Sequence, residues 1–365
     1  MRVRVTRLVL LAVTPGVLAG CAHLGPNSVV DDRIAYNHAV ADSWQQQTLL
    51  NIVRSRYNDT PVLVDVSQII AGYQGQYTLS ADAAIAPTAA VLRPPASDRF
   101  TSKLGLQTTY VDRPTITYAP QTGAQFIRNL TGPLEPSAVL FMIQAGYPAD
   151  LMLELVVESI NGIPNFSSSG GETREADPRF RRVMELMRRA QQSAGVGMRI
   201  ERDKQNNETV VFIVRDKNID PESARDLTEL RTILGLEPAQ GEYRVVYGAT
   251  AKAPNEIAML TRSVFRMYTV LSTFVDVPVC HQIDGRATPV DRPACANPDE
   301  PLVEIRSGPK PPADCFTAIR YRGHWFWVDD RSARTKRVFS FLLAFQSLAD
   351  TRAREGLPVV TIQAN

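Results

Sequence analysis

A mixed α+β fold, with helices and sheets packed in layers, is what this sequence predicts, and three observations carry it. Apolar stripes at three- and four-residue steps alternate along the chain with short β-branched runs. Glycine, proline, asparagine and aspartate cluster between them as turn signals. Hydrophobic residues make up 44% of the 365 positions, which supplies a packed core and excludes a disordered chain.

The elements follow in order. A helix is expected from about Asp32 to Tyr57, with Ile34, Ala41, Trp44, Thr48, Ile52 and Val53 near one face, stopped by Asn58-Asp59-Thr60-Pro61. Val62 to Ile70 reads as a strand. Tyr77 to Leu92 is alanine-rich and poorly periodic and reads as a loop. Lys103–Tyr110 and Thr115–Tyr118 read as strands joined through Val111 to Pro114. GAQFIRNL and SAVLFMIQAG are two short helices split by Gly132-Pro133. LMLELVVESI is a third, with Glu154 and Glu158 one turn apart on an exposed acidic face. FSSSGG is a flexible break. A charged helix over Arg179–Ala194 precedes a hairpin of Val196–Glu201 and Thr209–Val214, a helix over Pro221–Leu234 and a strand over Tyr243–Tyr247. Asn255 to Phe274 is predicted helical, its stripe formed by Ile257, Leu260, Val264, Met267, Leu271 and Phe274. Cys280–Asp314 is loop-rich with a strand at Leu302–Ile305. A hairpin, a helix over Ser332–Ala349 and a strand over Pro358–Ile362 close the chain. Two regions are expected: an N-terminal mixed helix and strand region over 31–165, and a C-terminal α/β domain over 172–365.

The front of the chain is distinctive. Arg2, Arg4 and Arg7 precede the apolar run Leu8–Leu18, which is too short to span a bilayer at about 20 residues per crossing. The run ends in Leu18-Ala19-Gly20-Cys21. This resembles the lipobox of bacterial lipoproteins. The resemblance implies cleavage of residues 1–20, thioether lipidation and acylation at Cys21, and a tether over 21–30. Ala22, rather than aspartate, after the cysteine implies sorting to the outer membrane. Without the leader arginines, basic and acidic residues balance (40 against 38 in the whole chain), so nothing points to a nucleic-acid partner.

Cys280 and Cys295 bracket a polar loop containing Asp284-Gly285, and a disulfide between them is expected, which would leave Cys315 as an odd thiol; the pairings Cys280–Cys315 and Cys295–Cys315 stay open. The spacing of cysteines and histidines is not a metal pattern, so neither a metal nor another cofactor is expected. G-x-S-x-G, P-loop and dinucleotide signatures are all absent, and no catalytic residue is assigned.

The densest cluster of unusual residues is RYRGHWFWVDDRSARTKRVFSFLL, from Arg320 to Leu343. A two-residue turn at Arg322-Gly323 pairs Tyr321 with His324, Arg320 with Trp325, Ile319 with Phe326 and Ala318 with Trp327, and sets Cys315 opposite Asp330. Cys315 and His324 are then about 20 Å apart, too far to act as a dyad. One face carries Ile319, Phe326 and Val328, to be covered by the following helix. The other carries Arg320, Trp325 and Trp327, with Arg320 able to stack on Trp325, as a possible binding face. The function expected from these readings is a non-enzymatic binding or envelope-assembly component. It would be anchored in the outer membrane by its N-terminal lipid, face the periplasm and have a protein partner in the envelope. The alternatives are a periplasmic enzyme acting on envelope polymers and a peptidoglycan- or glycan-binding module.

Overall fold

The computed structural model describes residues 26–70, 73–84, 101–112, 115–169, 172–202, 208–215, 219–238, 240–289 and 301–351. Cys21, Cys295 and the expected final strand lie outside them. The class is α+β, and the chain forms two compact units: Leu63–Gln121, and the chain on either side of that segment.

The smaller unit is a ribbon. Strands β1 (Val64–Ile70) and β2 (Tyr73–Ala84) run out, and β3 (Thr101–Asp112) and β4 (Thr115–Pro120) return. Pairing is nested and antiparallel: β1 with β4 from Val64↔Pro120 to Ile70↔Thr115, and β2 with β3 from Tyr73↔Asp112 to Ala84↔Thr101. The expected loop at Tyr77–Leu92 is therefore a strand as far as Ala84. The signal was alternation, since Gln74, Gln76, Thr78, Ser80 and Asp82 occupy every second position.

The larger unit opens with α1 (Pro26–Arg56), ended by Asn58 at φ 59°. Helices α2 (Gly123–Thr131), α3 (Pro136–Gln144) and α4 (Ala149–Val156) follow. The expected third helix stops half-way: β5 (Val157–Ile160) and β6 (Ile163–Pro164) replace its second half, and FSSSGG carries β7 (Ser167–Ser169), paired with β8 (Glu172–Arg174), instead of a linker.

Sharp caps delimit the next helices. In α5 (Pro178–Gln192), Asp177 accepts from the Arg179 N–H; in α6 (Pro221–Leu234), Asp220 accepts from Glu222 and Ser223, and Gly235 closes it at φ 66°. Strands β9 (Val196–Arg202), β10 (Glu208–Val214), β11 (Glu242–Tyr247) and β12 (Glu256–Thr261) complete a six-stranded sheet in the order β6-β5-β12-β11-β10-β9, parallel only between β11 and β12. The sheet draws strands from both sides of residues 166–171, so the two regions expected there share one core. Leu140, Leu153, Val183, Met187 and Leu234 of α3–α6 close on Phe212, Val245, Ile257 and Met259.

The predicted helix over Asn255–Phe274 is likewise divided, into β12 and α7 (Val264–Ser272), the latter capped by Ser263. A short α8 (Val279–Ile283), strand β13 (Arg306–Gly308), the hairpin β14 (Cys315–Tyr321) and β15 (His324–Asp329), and α9 (Ala333–Thr351) complete the unit. The strand expected at Leu302–Ile305 begins instead at Arg306, with Ile305 bridging Val275.

Arg262 accounts for the first of these breaks, at the end of α4. Its guanidinium is fully buried and donates to the carbonyls of Glu154 (2.9 Å), Leu155 (3.0 Å) and Phe166, and to the Glu158 carboxylate (2.7 Å). Those first two oxygens belong to the last turn of α4, where the helix leaves its carbonyls without internal partners and where a cation is favoured. Glu154, expected on an exposed acidic face, is buried and paired with Arg334. Glu158 is on β5 and also faces Arg266 at 3.6 Å.

Candidate functional site

The terminal hairpin forms in the predicted register, from Tyr321↔His324 to Thr317↔Val328. Arg322 and Gly323 take φ 47° and 86°, as a two-residue turn with both centres left-handed requires. A bulge at Phe316 moves Cys315 opposite Asp329 rather than Asp330. Ile319, Phe326 and Val328 are buried, but the side chain shown against this face comes from the end of α1 rather than from the following helix: Tyr57, just past α1, meets Phe326 edge-on at 6.2 Å and Tyr321 at 5.5 Å. Helix α9 reaches the hairpin at the bulge, where Phe339 meets Phe316 at 6.1 Å.

The opposite face is open in part. Trp325 and Trp327 are half-buried and Arg320 is exposed; among the described residues, the cations seated over rings are Arg262, Arg322 and Lys336, so Arg320 does not stack on Trp325. The Trp327 indole lies over Gly308 of β13, where an added Cβ would come within 3.0 Å of its ring. Gly308→Ala is expected to push the indole outward, shifting tryptophan emission to the red at a cost of about 1 kcal/mol. Unchanged emission would show that the ring does not rest there. The basic run beyond the hairpin is neutralised locally, Arg331 by Asp314 (2.8 Å) and Lys336 by Asp330 (2.9 Å).

Beside the turn, the fold assembles a group that no sequence spacing announces. Cys280 and His281 sit in the first turn of α8, and His324 starts β15. The Cys280 sulfur and one nitrogen from each imidazole all lie within 4.8 Å of one another. The histidine rings meet edge-on at 4.7 Å. His281 is buried, and its Nδ1 is 2.6 Å from the Tyr57 hydroxyl. His324 Nδ1 is buried without a hydrogen-bond partner. Cys280 is exposed and a free thiol, while Cys295, its expected partner, lies outside the described residues. The segment is helical rather than the hairpin loop on which that pairing rested.

The surroundings are charged but paired. Arg286 binds Asp284, and Arg322 binds Asp59 at 2.9 Å while lying 5.0 Å over the Tyr57 ring. Asp59 also accepts from Tyr321, which holds its carboxyl below the usual range with help from Arg322. Burial pushes Tyr57 up to about 12, so its phenol keeps its proton at neutral pH. Burial, and then Arg286, His324 and Arg322, push His281 down and favour the neutral imidazole. Cys315, at the far end of the hairpin from His324, forms no cysteine–histidine partnership with it. The cysteine that reaches His324 is Cys280, brought there by tertiary folding alone.

No family model matches the chain, and no curated protein or solved structure shows significant similarity to it.

Proposed function

We propose that this protein is a lipoprotein anchored in the outer membrane through Cys21, facing the periplasm, and that it acts as a non-enzymatic assembly component. In this reading the ribbons of several copies join within the membrane. The observation that carries it is the pairing of β2 with β3. Each strand is 12 residues long, about 40 Å, which at a tilt near 45° matches a hydrocarbon layer of roughly 30 Å. Paired positions on one face read Tyr77↔Thr108, Leu79↔Leu106 and Ala81↔Leu104; on the other they read Gln76↔Thr109, Thr78↔Gln107 and Asp82↔Lys103. One apolar and one polar face is the pattern of a strand between lipid and an aqueous lumen.

A lone ribbon leaves two edges of backbone groups unpaired, and lipid tolerates only closed sheets. Side-by-side ribbons from several copies satisfy both edges. The few strands per chain, which argue against a barrel made by one molecule, are no obstacle to a shared one. The lipobox supports the membrane site, and no described helix is long and apolar enough to cross a membrane. The half-buried Trp325 and Trp327 with exposed Arg320 offer a face to a further envelope protein.

The test is detergent extraction of the full chain from membranes. Wild type is expected to carry radioactive palmitate and run as a heat-dissociable oligomer; Cys21→Ala should lose the label. Leu79→Arg, on the apolar face, should abolish the oligomer, since arginine at mid-membrane costs about 2–4 kcal/mol, whereas Thr78→Arg should not. A monomeric wild type, or equal behaviour of the two arginine variants, would overturn the reading.

A further inference from the structure

We infer that Cys280, His281 and His324 form a binding site for a thiophilic transition-metal ion of the zinc type, with a fourth position open to solvent. The donor set is one thiolate and two imidazoles, which suits zinc and related ions and not calcium or magnesium. Their donor atoms already lie within 4.8 Å of one another. Tetrahedral coordination, with bonds of about 2.0–2.3 Å, needs donors roughly 3.5 Å apart. Side-chain rotation of Cys280, exposed on a five-residue helix, and of the two imidazoles would supply the remaining approach.

Each histidine has a reason to face the ion. Tyr57 holds His281 Nδ1 at 2.6 Å, which fixes the ring and leaves Nε2 as the ligating nitrogen, in the manner of the outer hydrogen bonds that orient metal-binding imidazoles. His324 carries a buried Nδ1 that no protein group satisfies, and a metal bond would satisfy it. On binding, Cys280 releases its Sγ proton to solvent and both imidazoles ligate as neutral bases, so a divalent ion leaves the site with one net positive charge. Two neighbouring arginines are matched, Arg286 with Asp284 and Arg322 with Asp59, which moderates their repulsion of the ion. A solvent-facing fourth position leaves room for water or a donor from a partner. The site is independent of the ribbon and survives if the ribbon does not enter membranes.

The experiment is titration of the reduced, metal-stripped full chain in detergent with Zn2+ against a chromophoric chelator, and with Co2+ as a spectroscopic probe. One equivalent of Zn2+ is expected at submicromolar affinity, with a thiolate-to-cobalt charge-transfer band. Cys280→Ser should lose that band and weaken Zn2+ binding at least about 100-fold, while Cys315→Ser keeps both. Tyr57→Phe, which preserves the packing but not the hydroxyl, should weaken binding about 10–100-fold. Cys280 is exposed, so its variant should retain the wild-type melting profile. Zinc binding equal in wild type and Cys280→Ser would overturn the proposal, as would no Zn2+ binding by the folded wild type. Recovery of Cys280 disulfide-bonded to Cys295 in protein isolated without reductant would overturn it too.

Discussion

Replacing Arg262 with methionine is expected to cost the larger unit about 3–5 kcal/mol, the range for removing one partner of a buried ion pair. Methionine fills much of the volume but donates nothing. The carbonyls of Glu154, Leu155 and Phe166 would lose their donor, and Glu158 would be left with Arg174 at 3.5 Å and Arg266 at 3.6 Å as its cations. The measurement is the denaturant midpoint followed by tryptophan emission. Trp44, Trp325 and Trp327 all lie outside Leu63–Gln121, so the signal reports on the larger unit alone. A loss below about 1 kcal/mol would show that water replaces the guanidinium.

The same pair sets an acid limit. Burial pushes Glu158 up, but the charge and hydrogen bond of Arg262, with Arg266, outweigh it and hold the carboxyl below its ordinary value. A carboxylate with a depressed folded value contributes stability that is complete above its unfolded value of about 4.3. That contribution disappears as pH falls through the folded value. Wild type should therefore lose stability below about pH 4. Glu158→Gln should be weaker at pH 7 and flatter across that acid range. A parallel slope in the two proteins would remove Glu158 from the account.

Phe326→Ala is the second large effect, at about 3–5 kcal/mol. Phe326 is fully buried at the centre of the hairpin, opposite Ile319 and edge-on to Tyr57. The cavity would open where the first helix meets the last hairpin. Because Tyr57 also holds His281, the variant should loosen that imidazole even under conditions where the protein stays folded. Proton NMR of the histidine ring resonances would reveal it, and sharp, unshifted signals would argue against the coupling.

The contrast between these regions explains what the sequence discloses. The hairpin register is legible because Arg322-Gly323 accepts a tight turn and period-two pairing then determines the rest, apart from one bulge. Helix α6 is legible because Asp220, Pro221 and Gly235 mark both ends. LMLELVVESI and the segment from Glu256 to Ser272 misled for a common reason. LMLELVVESI is buried almost throughout, and the strand positions Ile257, Ala258 and Met259 are buried beside the apolar stripe of α7, so an apolar run reads as a helix when half of it is strand. What divides the first of them is Arg262, more than 100 positions away in sequence. The histidine–cysteine group was hidden for a related reason: its residues come from α8 and β15, oriented by α1, and local spacing does not encode that meeting.

The union of first helix and last hairpin also sets a timetable. Tyr321 meets Asp59 across 262 positions and His281 meets Tyr57 across 224. At roughly 5–20 residues per second, the apolar end of α1 is synthesised about 15–50 s before its hairpin partner exists. The ribbon between them closes far earlier, since its pairs are nested within Leu63–Gln121. A nascent chain therefore carries a finished ribbon behind an uncovered helix. Chains truncated before Phe326 should be substrates for chaperones and proteases.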